Sequence, residues 1–257
     1  MLQAILVMSI MLSSAILIVP VTNHNAFAFK DKPVLLNPRL STFVGANWWK
    51  WVLEIPTPIN PLIDANPCNV NQHGLFFFLA GVFEPVAASS TSSASNLSHA
   101  FQTSESSHSS KAGVASDSSG HVERTCTIPK EKAIFFPVYN TFQTFGPQGT
   151  PSYPPATVQE AIKIVKDNVN QATNLKASVD GTPINVNKLR SLTIPFEFTL
   201  PRNNIFGPGT PLGPYEAIAD GYWVALRPLS VGTHEISFSS NHPDGPNIDV
   251  TYHITVQ

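Results

Sequence analysis

Charge is scarce in this 257-residue chain: Lys, Arg, Asp and Glu make up 12% of it and leave a formal net charge of −2. That is about half the usual share, and with no basic surplus there is nothing to neutralise a phosphate backbone, which argues against nucleic acid as a partner. Cysteine is nearly absent, only Cys68 and Cys126, and neither stands in the sequence context of a catalytic thiol. No H-E-x-x-H, G-x-S-x-G, P-loop or dinucleotide fingerprint occurs, so common hydrolase, zinc and nucleotide chemistries lack support and no metal or cofactor is expected. Methionine stops at Met11, which leaves a copper site without its usual axial thioether.

What is present begins with an apolar run over residues 5–19, a short polar stretch, and Ala26-Phe27-Ala28 as a small-residue cleavage pattern. This reads as a secretory leader spanning 1–28, although no Lys or Arg precedes the run. At about 15 residues the run is shorter than the roughly 20 needed to span a bilayer, and no later stretch is longer. The expectation is a secreted or cell-surface protein with no membrane span once the leader is removed, its mature part being one β-rich domain over 29–257. In an oxidising compartment an even pair of cysteines reads as a disulfide.

The elements are legible from periodicity. Apolar residues at 44, 48, 51, 52 and 55 trace a helical face over 41–54, ended by Pro56 and Pro58. Thr157 and Glu160 make a capping box ahead of a stripe through Val158, Ala161, Ile162, Val165, Val169 and Ala172. Aromatic-rich runs at 74–83 and 133–139 read as buried strands lying close together. After Asn174 come the strand runs LKASVD, SLTIPFEFTL, GYWVALRPL, THEISFSS and IDVTYHITV, the last three spaced like consecutive strands. The expected fold is mainly β: an antiparallel β-sandwich, immunoglobulin-like or jelly-roll in type, with two accessory α-helices.

Residues 87–122 are rich in Ser, Thr, Ala and His with almost no large apolar side chains, the composition of a disordered insertion. Asn96 heads a glycosylation sequon there. His99, His108 and His121 are spaced too irregularly to prescribe a metal site and are expected to be solvated. In the strands beyond, His234, His253, Glu235 and Asp249 are expected to be structural or to face solvent.

The segments WWKWVLEIPTPINP, Cys68 with Gln72 and Gly74, FFFLAGVF, RTCTIPKEKAIFFPVYN, ADGYWVALRPLSVGTHEISF and DVTYHITV together resemble a group of secreted bacterial and archaeal proteins of uncharacterised function. The resemblance covers most of the mature chain and implies secretion, pairing of Cys68 with Cys126 and a β-rich body. It supplies no catalytic residues, and 87–122 stands out from its pattern as an insertion.

Two candidate sites follow from the bare residues. Trp48, Trp49 and Trp51 cannot all point to one side of a helix, since successive positions turn by about 100°. Trp49 is the expected outlier. With Trp48, Tyr222, Trp223 and the polar Asn66, Gln72 and Asn140 it would form a platform for a glycan or another neutral polymer, the competing outcome being that Trp49 packs under the following Pro-rich loop. The expected function is therefore a non-catalytic binding or interaction module with a glycan or cell-envelope component as partner. The alternatives are a structural envelope component and a secreted hydrolase whose carboxylate pair is drawn from Glu54, Asp64, Glu197, Glu216 and Asp220. Asp64 and Asp220 sit in turn-like contexts.

Overall fold

The computed structural model describes residues 33–63, 68–82, 120–146 and 157–257. In chain order its main elements are α1 (Ser41–Leu53), β1 (Phe76–Phe78), β2 (Val122–Ile128), β3 (Ala133–Phe145), α2 (Val158–Val169), β4 (Thr173–Val179), β5 (Thr182–Pro183), β6 (Arg190–Leu192), β7 (Phe196–Phe198), β8 (Tyr215–Leu226), β9 (Gly232–Asn241) and β10 (Ile248–Val256). One sheet has the order β1-β3-β8-β6, with β7 also on β8, and the other runs β2-β10-β9-β4-β5. Their inner faces meet in a core containing Phe136, Val138, Val224, Phe238, Val250 and Tyr252, which makes the molecule a β-sandwich.

The strict alternation predicted for residues 248–256 is present: Ile248, Val250, Tyr252, Ile254 and Val256 are buried, and His253 points outward. Three expectations about the sheets change. They are mixed, because β1 joins β3 and β2 joins β10 in parallel. GYWVALRPL belongs to the first sheet while THEISFSS and IDVTYHITV pair in the second, since the residues between Leu226 and Gly232 carry the chain across the sandwich. SLTIPFEFTL is two short strands, β6 and β7, and at the Pro-containing break Ile194 N–H bonds Thr42 O of α1.

The cysteines are bridged, with Cα atoms 5.9 Å apart. Val122 is buried at the start of β2, so the end of the stretch expected to be disordered is ordered, while 87–119 lie outside the described residues; half-buried His121 is not a freely solvated side chain but lies 2.9 Å from Asp249. His99, His108 and Asn96 lie outside the described residues, as does the leader. Among the described residues no helix is long and apolar enough to cross a membrane.

The first sheet is longer than the second, and the helices finish its coverage. α2 begins at the capping box, where Thr157 Oγ accepts from Glu160 N–H and the Glu160 carboxylate accepts from Thr157 N–H at 2.7 Å. The Thr157 hydrogen bonds, the backbone one foremost, hold the Glu160 carboxyl below its usual range. Ala161 and Val165 then seat on Ile218 of β8, beyond the reach of the second sheet. At the seam between the two covers lies Asp220, 1% exposed. It is no turn residue: its Oδ2 accepts from Arg190 Nε at 3.0 Å and Nη2 at 2.6 Å. The same guanidinium donates to Lys166 O and Asn170 Oδ1 at the end of α2. Burial pulls the Arg190 pKa down, but its bonds to Asp220 outweigh that and leave it raised.

α1 covers the opposite face. Gly45 lets the helix backbone approach β8, since a Cβ there would stand 3.1 Å from Thr193 and 3.2 Å from the Trp223 ring. Trp48, Trp49, Trp51 and Trp223 are all buried, because the helix is enclosed by the sheet on one side and by the segment around Val70 on another. Trp48 Nε1 donates to Leu79 O at 2.9 Å, Trp51 Nε1 to Val70 O at 2.8 Å and Trp223 Nε1 to Ser191 O at 3.0 Å. Trp49 packs on Phe142 with ring centroids 4.5 Å apart, and its Nε1 has no hydrogen-bond partner among the described residues.

This difference makes a test. Trp48→Phe strands a buried carbonyl and should cost about 2–3 kcal/mol, whereas Trp49→Phe removes an unsatisfied donor and should stay within about 1 kcal/mol of the parent in a urea titration. Equal losses would mean that ring volume alone decides.

Candidate functional site

The sequence-expected platform is not assembled. Trp48, Trp49 and Trp223 present no open ring face because all three belong to the core under α1, so of the two outcomes for Trp49 the packed one holds, with Phe142 against its ring. Tyr222 is half-buried on the opposite face of the sheet, where the Arg190 guanidinium lies 5.9 Å from its ring centre. Gln72 is spent on the backbone: its amide binds Cys68 O, Phe78 O and Phe78 N–H. Asn140 sits against Gly221, where any Cβ would come within 2.6 Å of its own, and its buried Nδ2 has no partner among the described residues. Asn66 is outside the described residues.

Of the candidate carboxylates, the structure brings together only Glu197 and Glu216 among the described residues. Glu54 is exposed at the cap that ends α1, where its Oε1 accepts from Thr199 N–H at 3.3 Å, and Asp64 lies outside the described residues. Glu197 and Glu216 are exposed and stand directly opposite one another across β7 and β8. Asp220 is consumed by Arg190. The flanking residues of β7 and β8 put Phe196, Phe198, Tyr215 and Ala217 into the core under α1, so alternation turns Glu197 and Glu216 to the other side of the sheet.

What the structure does bring together is a groove of about 630 Å³ between α1 and the segment leading into β1. Helical spacing puts Val44, Asn47, Trp51 and Glu54 along one line, with Lys50 beside them. The facing wall is Asn71, His73, Gly74 and Leu75, and Phe76 and Phe78 lie between. That wall is a tight excursion, with Asn71 at φ 49° and Gly74 at φ 71°, conformations that Asn and Gly adopt most readily. The Cys68–Cys126 bridge, the Gln72 amide and the Trp51-to-Val70 bond hold it in place, and Lys132 Nζ donates to Gly74 O.

Apolar surface is therefore rimmed by two amides, an ammonium, an imidazole and one carboxylate. Such a lining suits a ligand with an apolar side and hydrogen-bonding groups. It does not suit acid–base catalysis by two carboxylates, because among the described residues Glu54 is the one carboxylate in it. Among the described residues, too, no group of three or more His, Cys, Asp or Glu could hold a metal ion. Leu75 is 81% exposed, an apolar side chain projecting from a wall that is otherwise firmly anchored.

Sequence reasoning missed Asn47, Lys50, His73, Leu75 and Phe76. A usable signal was there in Asn47, Lys50 and Glu54, polar positions at helical spacing that flank Trp51 on the same stripe.

No protein-family model matches the chain, and no curated protein matches it. Among solved structures, the solution structure of Amebosin aligns over 52% of this chain and 89% of its own at 14% identity, with a TM-score of 0.18. The crystal structure of the cysteine protease inhibitor EhICP2 from Entamoeba histolytica aligns over 52% of this chain and 86% of its own at 14% identity, with a TM-score of 0.20. Likeness at that level carries no argument about fold or activity.

Proposed function

We propose that the protein is a secreted or cell-surface, non-catalytic binding module that holds a neutral polymer of the cell envelope or its surroundings, a glycan among the candidates, in the groove between α1 and β1. The observation that carries this reading is the groove's composition: an apolar floor at Trp51, Phe76 and Phe78, hydrogen-bonding groups along its rim, and a single carboxylate. The apolar run over 5–19, the small-residue pattern after it and the disulfide support an extracytoplasmic location.

The experiment is a titration of tryptophan emission with neutral hexasaccharides and with peptide pools, run on the parent and on Leu75→Asp. Trp51 is the indole in the groove wall, so binding should change the emission of the parent and leave that of Leu75→Asp flat, with no turnover. Because Leu75 is exposed, this substitution spares the core. A flat response of the parent to every probe overturns the reading. The hydrolase alternative keeps one geometric support, the facing Glu197 and Glu216. It requires reducing ends to accumulate from the hexasaccharide and to disappear in Glu216→Gln.

A further inference from the structure

We infer that the chain held in the groove is an extended polypeptide segment, one residue of which pairs with the main chain of Phe76; this rests on the groove being the binding site. Among the described residues β1 is an edge strand, bonded to β3 alone. In a parallel pair the peptide groups of alternate residues turn toward the neighbour and away from it. Here Ala133 N–H bonds Leu75 O and Leu79 N–H bonds Phe135 O. With Phe76 opposite Ala133 and Phe78 opposite Phe135, that pattern spends Phe77 on β3 and turns the N–H and C=O of both Phe76 and Phe78 to the open side.

At Phe78 that open side is already taken, and the way it is taken shows what fits. The Gln72 side-chain amide accepts from Phe78 N–H at 2.8 Å and donates to Phe78 O at 2.8 Å, the two bonds that a residue of an added strand would make. Phe76 offers the same donor and acceptor two residues away, no described residue bonds them, and Phe76 lines the groove. A single ligand residue in extended conformation satisfies both groups at once, as in edge-strand addition. A sugar hydroxyl can reach one or the other, whereas an extended residue, whose N–H and C=O point to the same side, matches the pair as the Gln72 amide does at Phe78.

The same amide limits the contact. Gln72 closes the edge beyond Phe76, so a bound strand cannot zip along β1, and its flanks must run over Trp51 and Lys50 on one side and His73 and Leu75 on the other. The inferred ligand is thus a short segment, with an apolar side chain where Trp51 and Leu75 meet it. Blocking an edge with an amide is also how a sheet avoids unlimited strand addition.

The test uses a displayed library of random twelve-residue peptides, selected on the full chain with excess soluble Leu75→Asp protein as competitor. Enriched peptides should lose about ten-fold in affinity when one particular backbone amide is N-methylated and little when the amides on either side are. In the complex, exchange of the Phe76 amide should slow at least ten-fold while that of Phe78 is unchanged. Peptides that tolerate N-methylation at every position overturn the pairing. Failure to enrich any peptide, with a neutral hexasaccharide shifting Trp51 emission, overturns the peptide inference and leaves the binding reading standing. Failure of both probes removes both.

Discussion

Arg190→Leu should lower the unfolding free energy by about 3–5 kcal/mol, the cost of leaving a buried ion without its partner. Asp220 is 1% exposed and its Oδ2 receives both Arg190 bonds, so the substitution leaves the carboxylate, among the described residues, with the Gly221 N–H as its remaining donor. The loss also reaches α2, because Arg190 bonds Lys166 O and Asn170 Oδ1. Arg190→Lys should fall between parent and Leu, since an ammonium cannot make this forked contact. The decisive variant is Arg190→Leu with Asp220→Leu: replacing both ions by apolar groups should recover most of the loss. If urea midpoints show the double variant as damaged as the single, the pair acts through packing rather than through an uncompensated charge.

Reduction of the Cys68–Cys126 bridge should cost about 4 kcal/mol by the chain-entropy estimate for so long a loop, its ends being 58 residues apart in sequence. The consequence for the site is more telling. Cys126 is anchored in the sandwich core on β2, and Cys68 begins the segment that becomes the groove wall. Cys68→Ser with Cys126→Ala should therefore speed amide exchange at residues 69–75 well before the β9–β10 pair opens, and weaken groove ligands at temperatures where the sandwich stays folded. Denaturant midpoints with and without a phosphine reductant, read beside site-resolved exchange, check both parts. An unchanged midpoint would mean that the Gln72 and Trp51 bonds suffice to hold the wall.

Much of the site escaped the sequence for a specific reason. Helical period says that Trp48, Trp49 and Trp51 cannot all face one core, yet all three join one buried cluster. What the period could not name is the surface that each would meet: the sheet, the segment around Val70 and Phe142 enclose α1 at once, and the open platform is lost. Asp220 before Gly221 has the composition of a turn, yet it lies in the middle of β8, and its role depends on Arg190, thirty residues earlier in the chain. Gln72 reads as a ligand contact by composition, yet its amide completes a strand edge at Phe78.

What the residues determined alone is what depends on near neighbours: the capping box at Thr157 and Glu160, the stripe of α2, the two-residue alternation of β10, and a cysteine pair suited to bridging. Each is set by contacts within a turn or two of chain, or by the two faces that an element must always have. Only the tertiary structure decided which of those faces would be covered, which strands would pair in parallel, and that α1 and the approach to β1 would leave a groove between them. Those outcomes are set by packing among segments tens of residues apart, and periodicity describes an element's own surface without naming what will lie against it.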